Sequence, residues 1–127
     1  MRIGTSTPIL RSFDEAQAKA FYVDYLGFSI DFEHRFEEGY PLYLQVSRDG
    51  CVLHVSEHHG DASPGAAVRI EVEDLDAFHA ELRDKDYGKA RPSIRKMPWG
   101  TRDMAVTDPF ANRLIFTETP AEDDAGG

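Results

Sequence analysis

The 127-residue chain holds a single cysteine, Cys51, so no internal disulfide can staple it. It has no apolar run near the roughly 18 residues that a membrane-spanning helix needs. The opening residues, from Met1-Arg2-Ile3-Gly4-Thr5-Ser6 onward, lack the apolar core of a signal peptide; with the lone cysteine, this leads us to expect a cytoplasmic protein. Positive charge is in deficit: 14 Lys and Arg face 23 Asp and Glu, a net −9. Nucleic acid is an unfavourable partner for such a chain, because its affinity comes mainly from cationic side chains meeting phosphates. A cationic small molecule is not. Phosphate-cradling glycine loops are missing, and Ser12, Ser47, Ser56, Ser63 and Ser93 have no local triad neighbours.

What is present, 41% hydrophobic and 11% aromatic residues, suffices for one globular domain with its own core, expected over residues 1–118. Residues 119–127 are acidic, small and free of bulky apolar groups, and are expected to form a disordered tail. Three of the nine excess negative charges, Glu122, Asp123 and Asp124, belong to it, which leaves six in the domain.

Two segments carry helix signals. Ser12 followed by Glu15 forms a capping box, Gly27 offers a stop, and Phe13, Ala16, Ala20 and Phe21 share an apolar face. Further on, Asp74 can cap a helix whose Leu75, Phe78, His79 and Leu82 recur at i, i+3, i+4 and i+7, with its end near Lys85 to Gly88. Strands are expected at residues 6–11, 28–35, 42–47, 52–56, 67–72, 101–107 and 113–117, with a further one within 89–94 limited by Pro92 to an edge or an end.

This order, strand, helix, then three strands, occurs twice. The segment from Val46 to Glu57 overlays that from Val106 to Glu118, at an offset of 60 residues before the turn and 61 after it. The offset of 60 also places Thr7-Pro8-Ile9-Leu10 on Ala67-Val68-Arg69-Ile70, and Asp14 on Asp74. An internal repeat sets the architecture. We therefore expect an α+β fold of two βαβββ modules, about residues 1–60 and 66–118, whose curved mixed sheets enclose one cleft.

Thr7-Pro8-Ile9-Leu10, Phe21-Tyr22 followed by Leu26-Gly27-Phe28, Asp74-Leu75, and Pro98-Trp99-Gly100 followed by Asp108-Pro109-Phe110-Ala111-Asn112 together resemble the vicinal oxygen chelate superfamily of glyoxalases, extradiol dioxygenases and bleomycin-resistance proteins. The resemblance covers nearly the whole domain. One departure is Ala111, where the family usually has glycine, so the turn is expected to differ in shape. The family's enzymes hold a metal at four positions, which fall on Thr7, His54, Ala67 and Ile115; only His54 is a good ligand, so the resemblance implies no family metal site and no cofactor. What remains is similar to the bleomycin-resistance branch, which sequesters a bulky cationic glycopeptide drug without changing it. That likeness implies a homodimer with strand exchange at Pro8, and a ligand site drawing on Asp31, Phe32, Phe36, His54 and Trp99. Stacking on Phe32, Phe36 or Trp99, with carboxylates meeting a cationic tail, is the chemistry expected.

Each of these residues has a plainer reading beside it. His54 lines either a ligand site or an unused polar face, Trp99 packs on a rim or meets a ligand, and Phe32 and Phe36 are alternatively interface residues. Tyr40 and Tyr43 are rim, core or cleft. His54, His58, His59 and Asp61 lie within eight residues and could form a metal site unrelated to the family's, as a divergent lyase or dioxygenase would need. The Gly, Pro, Asp and Ser content of residues 57–65 reads instead as an exposed connection. A third alternative is the same fold serving another metabolite.

Overall fold

Each half of the repeat builds one four-stranded mixed sheet in the computed structural model, which describes residues 1–120. The expected tail lies, from residue 121 onward, outside the described residues. The chain divides into two compact units, one of Met1–Ala66 with Pro109–Asn112, the other of Ala67–Asp108 and the residues from Arg113 on. None of the described helices is long and apolar enough to cross a membrane.

In the first unit, strand β1 (Ile9–Arg11) precedes helix α1 (Glu15–Lys19), which runs on as a π-helical stretch, Ala20–Tyr25. Strands β2 (Ser29–Arg35), β3 (Leu42–Arg48) and β4 (Cys51–Ser56) follow, in the sheet order β1-β4-β3-β2 with β1 parallel to β4. β1 starts three residues later than its sequence suggests. Proline has no N–H for the ladder, and Pro8 joins the sheet only through its carbonyl, which accepts from the His54 N–H at 3.0 Å.

The helix start also differs from expectation. Ser12 is buried and its N–H donates to the Ser56 carbonyl at 2.8 Å, so it still belongs to the extended chain. Asp14 is the cap instead, accepting from the Gln17 N–H at 2.8 Å. Past Lys19 the helix widens, with the Leu26 N–H donating to the Phe21 carbonyl five residues back at 2.9 Å. The inward face differs from expectation: Phe13, which precedes the cap, and Ala16 are exposed, whereas Ala18, Phe21, Tyr22, Tyr25 and Leu26, at i, i+3, i+4, i+7 and i+8, are buried. Gly27, at φ +77°, ends the stretch as expected.

The second unit repeats the plan with β5 (Ala67–Glu71), α2 (Leu75–Arg83), β6 (Ile94–Lys96), β7 (Arg102–Thr107) and β8 (Arg113–Glu118), in the order β5-β8-β7-β6. Asp74 caps α2 through the Ala77 N–H at 3.1 Å, Leu75 and Leu82 are buried, and Phe78 meets Phe116 edge-on at 4.9 Å. The strand expected within 89–94 lies instead at Ile94–Lys96, starting where the expected one ended. Upstream of it the Pro92 carbonyl is occupied by the His79 ring at 3.1 Å rather than by a strand partner. Ala111 takes the left-handed conformation itself, at φ +72°, so the turn keeps the shape a glycine would give it, contrary to the sequence expectation.

The ladders reproduce the repeat residue by residue. Ile9 pairs with His54 and Arg69 with Ile115; Tyr43 pairs with Ser56 and Asp103 with Thr117; Ser47 pairs with Val52 and Thr107 with Arg113. Offsets of 60 in β1 and β3 and of 61 in β4 convert each first pair into the second.

Candidate functional site

Alternation along β3 and β4 separates two faces of the first sheet. Leu44, Val46, Leu53 and Val55 are buried, and between them Tyr43, Gln45, Ser47, Val52 and His54 stand half-exposed on the other face. The tight turn at Arg48-Asp49-Gly50 sets the register that places Gln45 opposite His54. Phe32 lies opposite Gln45 on β2, where an irregularity between Ile30 and Phe32 lets Asp31 turn onto the same polar face. Asp31, Phe32 and His54 are therefore brought together on one face.

One hydrogen-bond chain connects these side chains, and its direction follows from its end. Asp31 is a carboxylate and can only accept, so the Gln45 group 3.1 Å from Oδ2 is the amide nitrogen, Nε2. That turns Gln45 Oε1 toward His54, whose Nε2–H donates to it at 2.9 Å. The other ring nitrogen, Nδ1, is left as an acceptor, and the Tyr43 hydroxyl donates to it at 2.5 Å. Ser47 donates to the second Asp31 oxygen at 3.0 Å. Donation from Gln45 and Ser47 holds the Asp31 carboxyl below its ordinary pKa, while burial, helped by the charge of Asp61, pushes the Tyr43 hydroxyl up. Around this chain the Phe32 ring lies parallel to Tyr43 at 6.5 Å, and the His54 ring stands edge-on to both, at 6.0 and 5.1 Å. Phe32 nevertheless remains 44% exposed.

The other sequence candidates take no part in this hydrogen-bond chain. Phe36 is exposed on the connection after β2, where its ring meets Tyr40 at 5.7 Å. Trp99 is in the second unit, exposed, with its indole N–H donating to Thr101 Oγ1 at 2.8 Å. His58, His59 and Asp61 do not assemble with His54 into a metal site: Asp61 accepts from the Ser56 hydroxyl at 2.7 Å, His59 is exposed, and both His54 ring nitrogens are already engaged. Among the described residues, no three His, Cys, Asp or Glu side chains stand close enough to share an ion. The positions that the family likeness assigns to a metal do not fit one either, since Ala67 and Ile115 carry no donor atom. Cys51 is half-buried, and burial raises its thiol pKa.

Gln45 and Ser47 escaped the sequence reading. Their alternation with Leu44 and Val46, plus the hairpin register, was the signal that could have placed them beside His54.

The chain matches the family model described as glyoxalase superfamily protein over residues 2–123. No curated protein matches it. Among solved structures it is similar to a bleomycin resistance determinant encoded on the transposon Tn5, at 21% identity and a TM-score of 0.69, covering 94% of this chain and all of that one. It is similar to a bleomycin-binding protein complexed with bleomycin, at 23% identity and a TM-score of 0.68, over 93% of this chain and all of that one. A glyoxalase-related enzyme from Clostridium phytofermentans aligns at 20% identity and a TM-score of 0.72, over 94% of this chain and 98% of that one. At these identities the likeness is one of fold.

Proposed function

Since this chain belongs to the glyoxalase superfamily, we propose that it is a binding protein of the bleomycin-resistance kind, one that holds a cationic, aromatic-bearing small molecule on the polar face of its first sheet without changing it chemically. The observation that carries this reading is the direction of the hydrogen-bond chain. Donation runs from Tyr43 through His54 and Gln45 to Asp31, so the groups left facing a ligand at its two ends are acceptors: the Tyr43 oxygen and the Asp31 carboxylate. A hydroxyl that donates strongly becomes a better acceptor in turn. Such a face suits ammonium and amide N–H groups and repels anions. Phe32, braced against Tyr43 and His54 yet open, offers a ring on which a heteroaromatic group can stack. The solved relative that holds bleomycin supports the choice of drug to try first.

Calorimetric titration with metal-free and copper-loaded bleomycin at two salt concentrations tests the proposal. Saturation near one drug per chain, weakened by salt, is expected, with Phe32→Ala costing about 1–3 kcal/mol of binding. Absence of binding by folded protein discards the drug and leaves another cationic metabolite to be sought.

We also propose that the protein works as a homodimer exchanging its first residues. β1 has only three residues, and the segment before it carries the exposed apolar side chains of Met1 and Ile3. Light scattering of the full chain should give twice the 14.3 kDa chain mass, and removal of residues 1–7 should return the monomer.

A further inference from the structure

The corresponding face of the second sheet has the opposite electrical character, and it uses residues that the first reading does not. The repeat puts Asp103 where the first unit has Tyr43, Ala105 where it has Gln45, and Ile115 where it has His54. Asp103 is 7% exposed and gathers donors from β5, from β8 and from the residue just before β7. Thr117 Oγ1 donates to it at 2.7 Å, Thr101 Oγ1 at 3.0 Å, and Arg69 Nη2 reaches its two oxygens at 3.2 and 3.4 Å. The indole N–H of Trp99 donates to the same Thr101 oxygen, which fixes one edge of a ring that is otherwise 63% exposed.

The charges on this face do not cancel. Arg69, its side chain 48% exposed, spends only Nη2 on Asp103 and Thr117; its Nε and Nη1 donate to no acceptor among the described residues. Arg95 pairs with Asp103 across β6 and β7, is exposed, and has no ion pair among the described residues. Strand alternation also puts Glu71 and Arg113 on this face, so three guanidinium groups stand against two carboxylates, on a chain whose total charge is −9. A surplus of one positive charge suits a monoanion. Beside it, Ala105 and Ile115 form an apolar strip in register with Arg69.

We propose that this face binds the carboxylate of a small aromatic acid, with Arg69 and Arg95 receiving the carboxylate and the Trp99 indole and the Ala105–Ile115 strip receiving the ring. Arg69 is suited to the role because Asp103 and Thr117 hold its guanidinium by Nη2 alone and leave Nε and Nη1 without an acceptor among the described residues. The buried carboxylate is a positioning group, and its donors are the frame.

Trp99 is the only tryptophan in the chain, so it reports on its own site. Titration of the full-length protein with benzoate, exciting Trp99 selectively, should give a saturable fluorescence change; benzamide, the uncharged analogue, should bind at least about tenfold more weakly. Arg69→Gln and Arg95→Gln should each weaken benzoate about tenfold and leave benzamide unaltered. Arg69→Gln removes a donor from a buried carboxylate and risks the fold, whereas Arg95→Gln leaves every donor to Asp103 in place. Equal responses to benzoate and benzamide, quenching that never saturates, or a benzoate curve unmoved by Arg95→Gln would each overturn the proposal. Benzoate has the wrong sign for the first sheet's polar face, and neither Arg69 nor Arg95 enters that face's hydrogen-bond chain, so either reading can fail without the other.

Discussion

At the scale of single residues, the polarity of a face is decided by which side chain closes a hydrogen-bond chain. Asp31 can only accept, and that one fact orients Gln45, selects the tautomer of His54 and points the Tyr43 proton inward. Tyr43→Phe should therefore free His54 Nδ1, and a change in the ¹⁵N shifts of the His54 ring would register it. Ala111 occupies the left-handed region at φ +72°, a conformation that costs an L-residue roughly 1 kcal/mol. Ala111→Gly should raise stability by no more than about 0.5 kcal/mol in chemical denaturation, the relief of strain slightly exceeding the added freedom of the unfolded chain. Asp103 contributes to the acid limit of its unit. Burial alone would raise its pKa, but donation from Thr117, Thr101 and Arg69 outweighs that and holds it below the ordinary value. Its stabilisation is accordingly complete above about pH 4, the unfolded value, and is lost as pH falls through the folded one. Asp103→Asn should flatten that limb of the pH–stability curve. His54 and Phe32 were legible in the sequence as candidates, whereas Arg69 and Asp103 were not. Their meaning lies in a side-chain contact 34 residues apart that no spacing rule encodes.

At the scale of elements, the repeat was the most readable feature, because capping and strand alternation are local properties. The residues 60 apart that overlay in sequence, Asp14 and Asp74, both cap helices, and the Ser12 and Val72 N–H groups both donate to the last part of a partner strand, at Ser56 and Thr117. Replacing either aspartate by alanine should cost about 1 kcal/mol in denaturant melts. Glu15, expected to complete a capping box with Ser12, instead joins Lys19 and Arg35 in a half-exposed ion-pair group between α1 and β2, at 2.7 and 2.6 Å. Such pairs contribute little, so Glu15→Ala should change stability by less than about 1 kcal/mol. Two element-level expectations missed for a common reason. Each was phased from a residue outside the element: the apolar face of α1 from Phe13, which precedes the cap, and the edge strand from Pro92 rather than from β7, the strand that receives it.

At the scale of the whole molecule, the compact units are not the two halves of the sequence. Pro109–Asn112, the turn between β7 and β8, belongs to the first unit. There Asn112, fully buried, donates its side-chain amide to the Arg11 carbonyl at 2.8 Å, and Phe110 meets Phe13 edge-on at 6.1 Å. Asn112→Ala should cost about 1–3 kcal/mol, because it removes that donor from a half-buried carbonyl. The charge pattern is likewise a property of the ensemble of strands: a common frame with His54 and Gln45 on one copy, and Ile115 and Ala105 on the other, yields one face of acceptors and one of cations. A chain of two similar halves is ordinarily open to loss or exchange of either. Here the lent turn acts as a lien: a gene cut between residues 66 and 67 would deliver a first half missing four of its own residues and a second half with its hairpin severed from the company it keeps. Substitution can thus redecorate the two faces separately, whereas a cut between the halves divides the first compact unit.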